Sequence, residues 1–354
     1  MKQLRVGIVG TGMAFERLHL PAYQQLTEKY KITALCDDDP NKAFIWAERL
    51  GLDRSAVAAD PATLARRDDV DVIDIMVPIE INYTVTEQVA EAIAHSHKGI
   101  ICEKPLGATE EEIEAARELP AKYGVPILIA ENYRYNEENI QIQRLVQEKR
   151  VGDPIYFIQN RVMDMPADMR KNTFAAKEWR QHPEFPGGVI LDTGVHDIAA
   201  LQMIFGAVSE VHAYGVPQEA DYAPYAVIQA NLRFESGFIG QFSMFTTGKE
   251  AQRPLIGLRI MCSHGEIYLE ERDCGTVNVA YNDGRSEQIP YKPQQGYYRE
   301  LLNFYNHMTH GEPMAVTPEI EFGDTKVMLA MLRSAKEGRP VKVEQRAMAM
   351  AGRR

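Results

Sequence analysis

A chain of 354 residues is too long for one ordinary core, so two domains are expected. With 45% hydrophobic and 25% charged residues, its composition is that of a globular protein rather than a disordered or fibrous one. The formal net charge of -11 argues against a nucleic-acid or anionic-membrane partner, because binding phosphates over an extended surface needs a basic face. No apolar leader precedes the first strand and no run reaches the length of a bilayer span. The cysteines, Cys36, Cys102, Cys262 and Cys274, are scattered without a CxxC pair, as expected for reduced thiols in the cytoplasm.

Leu4 to Val9 is a short apolar run ending at glycine and reads as a buried strand. Residues 14–30 read as a helix bent at Pro21. A strand over 32–36 and a helix over 41–50 follow, with Gly51 placed for a left-handed cap. Residues 70–77 form a third major strand, ended by Pro78, and Asn82 is expected to cap the helix that follows. After a strand over 100–102, Thr109 to Glu112 fits a capping box opening a helix to 123, and a strand over 126–130 completes the pattern. Strands alternating with helices imply a doubly wound parallel sheet, which binds ligands at the carboxyl ends of its strands.

The rhythm then changes. A helix over 137–149 and a strand over 155–162 lead into an irregular stretch with Pro166, Pro183 and Pro186, ending at Gly187-Gly188. A helix over 192–205 follows. Extended segments over 225–233, 237–246, 255–262, 266–271 and 276–281 are joined by tight turns, which implies an antiparallel sheet. Helices over 297–310 and 318–337 and a short strand near 340–343 precede a tail, 345–354, expected to be mobile. The expected division is a dinucleotide-binding domain over 1–130 and a substrate-binding and oligomerisation domain over 131–344.

Gly10-Thr11-Gly12-Met13-Ala14-Phe15 follows a strand and opens a helix, the setting of a dinucleotide fingerprint. Gly10 permits the tight turn. Gly12 lets a pyrophosphate approach the backbone, with Met13 and Ala14 at the helix N-terminus. Phe15 departs from the small residue usual at the third position. Asp37, at the end of the second strand, stands where a carboxylate accepts both ribose hydroxyls and repels a 2′-phosphate, so NAD is expected over NADP. Pro78, Asn82, Glu103 and Lys104 are expected to border the cofactor.

Hydride transfer from a C–H bond requires the alcohol proton to leave as well, so a positioned base is needed. Glu103-Lys104-Pro105 directly follows a parallel strand. Lys104 is therefore placed to hold a substrate hydroxyl and stabilise a developing alkoxide. Asp192 and His196 lie four apart on a helix, hence on one face. A carboxylate there can orient an imidazole, and Gly187-Gly188 would let the backbone come close to a ligand. The same two residues could share a zinc ion, but no clear third ligand is near, so no metal is expected. Arg134, in Tyr133-Arg134-Tyr135-Asn136, is a substrate contact or a salt bridge with about equal weight. Trp179 and Arg180 could cover a sugar face or pack in the core.

Gly10-Thr11-Gly12, His19-Leu20-Pro21-Ala22, Glu103-Lys104-Pro105-Leu106 and Asp192-Thr193-Gly194-Val195-His196 together resemble the Gfo/Idh/MocA oxidoreductase family over nearly the whole chain. The resemblance implies a Rossmann domain followed by an α/β domain with a large open, mainly antiparallel sheet. It implies Lys104, Asp192 and His196 as the catalytic group, with the histidine as acid/base and the lysine as charge stabiliser. It also implies sugar, sugar-derivative or cyclic-polyol substrates, and a homodimer or homotetramer formed through the sheet. Besides Phe15, two positions depart from the family pattern: Asn82 stands where histidine is common, and Ala199 where aspartate is, with Asp197 beside His196 instead. Two rivals to a simple NAD-dependent dehydrogenase are a bound NAD reduced only transiently, allowing elimination or glycoside cleavage, and a non-enzymatic NAD sensor.

Overall fold

The computed structural model describes residues 2–248 and 257–344. The tail read over 345–354, and the first two residues of the strand expected from 255, lie outside the described residues. The chain forms two compact units. Among the described residues, one comprises 2–132 and 296–322, the other 133–248, 257–295 and 323–344.

The first unit is built on a five-stranded parallel sheet of order β2-β1-β3-β4-β5. The strands are β1 (Leu4–Val9), β2 (Tyr30–Cys36), β3 (Val72–Ile75), β4 (Gly99–Glu103) and β5 (Ile127–Ala130). They are near-continuous apolar runs, as strands covered on both faces must be. Among their few polar residues, Asp74 within β3 is a fully buried carboxylate. Helices α1 (Leu20–Gln25), α2 (Pro40–Arg49), α3 (Pro61–Arg66), α4 (Ile79–Ala92) and α5 (Glu110–Tyr123) connect the strands. The helix expected over 14–30 is shorter and irregular. A π-turn over Phe15–His19 precedes α1, with Pro21 in the first turn of α1. Pro21 has no N–H to give to the preceding turn, so the helix widens there and restarts.

Residues 133–295 open with α6 (Glu137–Gln147), β6 (Pro154–Val162), α7 (Met165–Asp168), α8 (Glu178–Gln181) and α9 (Val189–Phe205). Next come β7 (Val208–Pro217), β8 (Tyr225–Phe234), β9 (Ile239–Phe245), β10 (Gly257–Cys262), β11 (Gly265–Leu269), β12 (Thr276–Tyr281) and β13 (Ser286–Pro290). Then α10 (Gly296–His310) belongs to the first unit, α11 (Pro318–Glu337) runs from the first into the second, and β14 (Val341–Lys342) closes the second unit's sheet. That sheet has nine strands in the order β13-β12-β11-β10-β6-β9-β8-β7-β14. Every neighbouring pair is antiparallel except β6 and β9.

One face of this sheet is core, filled by residues such as Phe157, Ala213, Leu232, Phe242 and Met244. The opposite face is open. The register pairs Tyr156 with Ile239, Ile239 with Arg233 and Arg233 with Glu210. Alternation along β7 then puts Tyr214 and Val216 on the same side as Tyr156 and Ile239. All four are exposed.

Candidate active site

The glycine turn after β1 is dictated by sterics. Gly10 has φ +90°, and a Cβ there would sit 2.2 Å from the Met76 carbonyl oxygen. Its N–H donates to the Cys36 carbonyl at 2.9 Å, joining the ends of β1 and β2. Around Gly12 a Cβ would meet nothing within 4 Å, so a phosphate has room to approach the backbone. The helix begins at Met13 and Ala14, where first-turn N–H groups have no partner within the helix. Phe15 is buried edge-to-face against Trp46 of α2, ring centroids 5.1 Å apart.

Asp37 is tied to this turn. Its Oδ2 accepts from the Thr11 N–H at 2.7 Å and the Thr11 hydroxyl at 2.8 Å. Its Oδ1 accepts from the Asp39 N–H at 3.1 Å and faces the Lys42 ammonium at 3.5 Å. Burial opposes its charge, but the interactions with Asp38, Thr11 and Asp39 prevail and hold the carboxyl below its ordinary range. A turn open above Gly12, beside a fixed carboxylate, fits an adenosine diphosphate moiety.

Pro78, not Asn82, is the N-cap of α4. The expectation for Asn82 fails because a proline already starts the helix, leaving Asn82 inside it and buried. Its amide nitrogen instead donates to the Glu103 carbonyl at 2.5 Å and the Pro105 carbonyl at 3.0 Å. Asn82 thus clamps the main chain on both sides of Lys104, which lies in the turn leaving β4 at only 8% exposure. The Lys104–Pro105 bond is cis. Glu103 is turned into the unit: Oε1 lies 3.1 Å from His19 Nε2, and Oε2 accepts from the Lys104 N–H at 3.2 Å.

In the second unit, Asp192 and His196 lie one turn apart in α9. Asp192 is 3% exposed, and its Oδ2 lies 2.7 Å from Arg180 Nε. The Arg180 guanidinium also covers the Trp179 ring at 4.6 Å, so Trp179 and Arg180 are joined to Asp192. The His196 ring stacks on Tyr133, centroids 4.5 Å apart and 14° from parallel. The Tyr133 hydroxyl accepts from Arg161 at 2.7 Å, and the Arg272 guanidinium lies 4.6 Å from the centre of the same ring. Asp197, the residue beside His196, is buried and accepts from Gln159 at 2.6 Å.

Of the two readings of Arg134 the salt bridge is the one formed, and the expectation for Gly187-Gly188 is corrected. Arg134 forms a salt bridge: its guanidinium donates to Asp324 at 2.6, 2.8 and 3.0 Å, at 8% side-chain exposure, and is committed there. Gly187 and Gly188 bring the backbone close to the protein itself. A Cβ on Gly188 would lie 2.1 Å from the Tyr222 carbonyl, which accepts from the Val189 N–H at 2.9 Å, and one on Gly187 would lie 2.4 Å from Leu332.

His19 and Asp74 are components that the sequence reading missed. His19 Nδ1 lies 2.8 Å from Asp74 Oδ2, which also accepts from the Tyr23 hydroxyl at 2.8 Å. Burial works against charge on His19, yet Asp74 and Glu103 prevail and hold its pKa well above the ordinary value. A carboxylate inside the run Val72-Ile73-Asp74-Ile75 was the available signal, since such a group needs a buried partner.

A doubly wound parallel sheet with a glycine turn after its first strand and a carboxylate ending its second defines a dinucleotide-binding protein. The chain belongs to the Gfo/Idh/MocA oxidoreductases. Residues 4–131 match the oxidoreductase family with NAD-binding Rossmann fold, and residues 140–268 match the GFO/IDH/MocA C-terminal domain. It is 26% identical over 329 residues to 1,5-anhydro-D-fructose reductase of Ensifer adhaerens, covering 89% of this chain and 91% of that one. Myo-inositol 2-dehydrogenase of Thermotoga maritima is 23% identical over 364 residues, covering 97% and 99%. A levoglucosan dehydrogenase solved with NADH superposes with a TM-score of 0.83 over 97% of this chain and 100% of the other, a likeness of fold at 20% identity. Among the described residues no helix is long and apolar enough to cross a membrane.

Proposed function

We propose that this oxidoreductase transfers hydride between nicotinamide and a secondary alcohol or ketone of a sugar, sugar derivative or cyclic polyol. Residues 1–130 bind the cofactor, and residues 131–344 supply substrate contacts and the oligomer surface. When held there, NAD would supply the hydride acceptor or donor. Gly10, Gly12, Met13 and Ala14 shape the phosphate turn. Asp37 accepts the ribose hydroxyls and disfavours a 2′-phosphate, and Pro78 borders the cofactor. Lys104 binds the reacting oxygen and stabilises its negative charge as the hydroxyl proton leaves. His196 takes up that proton. Asp192, paired with Arg180, supports the charge on His196, and Trp179 and Arg180 add substrate contacts. The exposed side chains of Tyr156, Tyr214, Val216 and Ile239 on one sheet face support a homodimer or homotetramer formed through that face.

The observation that carries this reading is the setting of Lys104. A lysine held at 8% exposure, in a turn clamped by Asn82 at the carboxyl end of a parallel strand, is not an ordinary loop lysine. The test is NADH formation from NAD with myo-inositol and levoglucosan, and NADH consumption with 1,5-anhydro-D-fructose, with Lys104→Ala alongside. The reading requires turnover by the wild type on one of them and its loss in the variant, with NAD binding retained. Near-normal turnover by Lys104→Ala overturns it.

A further inference from the structure

The group beneath Lys104 is costly to build. His19, Asp74 and Glu300 are each 0% exposed, and taking charges out of water is paid back only where partners are well placed. Both ring nitrogens of His19 face carboxylate oxygens, at 2.8 Å for Asp74 and 3.1 Å for Glu103, so each nitrogen carries a proton and the ring is an imidazolium. Tyr23 holds Asp74 from the far side at 2.8 Å, and the Tyr297 ring lies 5.7 Å from His19. Glu300 of α10 is enclosed with neither carboxyl oxygen hydrogen-bonded. Burial, with Glu103, Glu131 and Asp74 outweighing the opposing His19, raises its pKa well above the ordinary carboxyl value. Among the described residues no group of three or more His, Cys, Asp and Glu side chains is arranged to hold a metal ion.

Fold stability alone is a poor account of such a group, because apolar residues of similar volume commonly serve as well or better. What the ions add is direction. The imidazolium joins Asp74 of β3 to Glu103 of β4, and the second oxygen of Glu103 accepts from the Lys104 N–H at 3.2 Å. Asn82 holds the Glu103 and Pro105 carbonyls from the other side. The main chain at Lys104 is therefore gripped by a charged chain on one side and an amide on the other.

We propose that His19 is a positioning residue for Lys104, acting through Glu103 to fix the turn from which the lysine side chain leaves β4. The proposal rests on the reading of Lys104 as the group that binds the reacting oxygen.

The test is hydrogen exchange in the full chain, comparing wild type with His19→Gln and Tyr23→Phe. In His19→Gln, exchange at residues 103–106 should rise about tenfold, the loss expected for one hydrogen bond to a charged group. Residues 4–9 and 127–130, in the same sheet, should keep their wild-type rates. Unchanged exchange at 103–106, or an equal rise across the whole sheet, overturns the proposal. If His19→Gln does not fold, Tyr23→Phe decides: it removes one hydroxyl from the same chain and should give a smaller rise confined to the same segment. On whichever of the three probe sugars and polyols the wild type turns over, kcat of His19→Gln should fall about 10²-fold, as for a reacting group displaced by about 1 Å, with the Kd for NAD unchanged. Equal losses in NAD binding and kcat count against it. If Lys104→Ala keeps its turnover, the reading of Lys104 fails, while the exchange rates still decide whether His19 holds the segment.

Discussion

The two units hold their proposed reactive groups by opposite means. Lys104 leaves a turn caged by hydrogen bonds from Asn82, Glu103 and, behind Glu103, a buried imidazolium. His196 projects from a regular helix and is set by the flat face of Tyr133, itself held at its hydroxyl by Arg161. A turn has no periodic hydrogen bonding of its own and needs external groups to define it. A helix supplies its own frame, and the Tyr133 face packs against a ring that the helix already aims. The first arrangement draws on charges taken out of water to define a turn, the second starts from a regular helix, and the two should fail differently.

The largest break should come from the reactive groups themselves. Lys104→Ala and His196→Ala should each lower kcat by about 10²- to 10⁴-fold with little change in NAD affinity, read by steady-state kinetics and titration calorimetry. Next, Arg180→Ala removes the guanidinium that lies 2.7 Å from the buried Asp192 carboxylate. A loss of about 3 kcal/mol in urea unfolding is expected, and Asp192→Asn on the same background should restore part of it. The cage should also show in the pH dependence of stability. Burial raises the pKa of Glu300 well above its value in the unfolded chain, so its contribution is full below the unfolded value and declines as pH rises toward the folded one. Glu300→Gln should remove that decline and raise Tm at pH 7 by about 2–4 °C, seen by scanning calorimetry. His19, whose pKa is also raised, adds stability that is complete below its unfolded value and lost as pH climbs through its folded one. The smallest effect belongs to the aromatic contact. Tyr133→Leu should lose about 1 kcal/mol of stability from the aromatic pair, with the lost acceptor of the Arg161 bond adding to it, and should lower kcat less than either reactive-group variant.

What the sequence disclosed follows from how local each device is. The glycine turn, Asp37 at a strand end and Lys104 after an apolar run are each visible within a few residues of chain, and each stands where that pattern puts it. The parallel and antiparallel sheets follow from the change in rhythm after 130. His19 was opaque because its partners, Asp74 and Glu103, are distant in sequence and meet it only when β3 and β4 stand side by side. Asn82 was misread because asparagine near a helix start is usually a cap. Its actual targets, two carbonyls on another strand's turn, carry no sequence signature. The pair Gly187-Gly188 was correctly seen as a close approach, but sequence could not say that the approaching partner was Tyr222 of the same unit.

The single parallel pairing in the nine-stranded sheet bears on how the second unit folds. Strands β7, β8 and β9 form one meander and β10 to β13 another, each closed by neighbours in sequence. Among the described residues β6 joins them, pairing with β9 on one side and β10 on the other across long stretches of chain. Closing such loops costs entropy that is recovered only once the contacts form. The meanders are therefore expected to assemble first as separate halves, with β6 locking into place between them as the late, rate-limiting event.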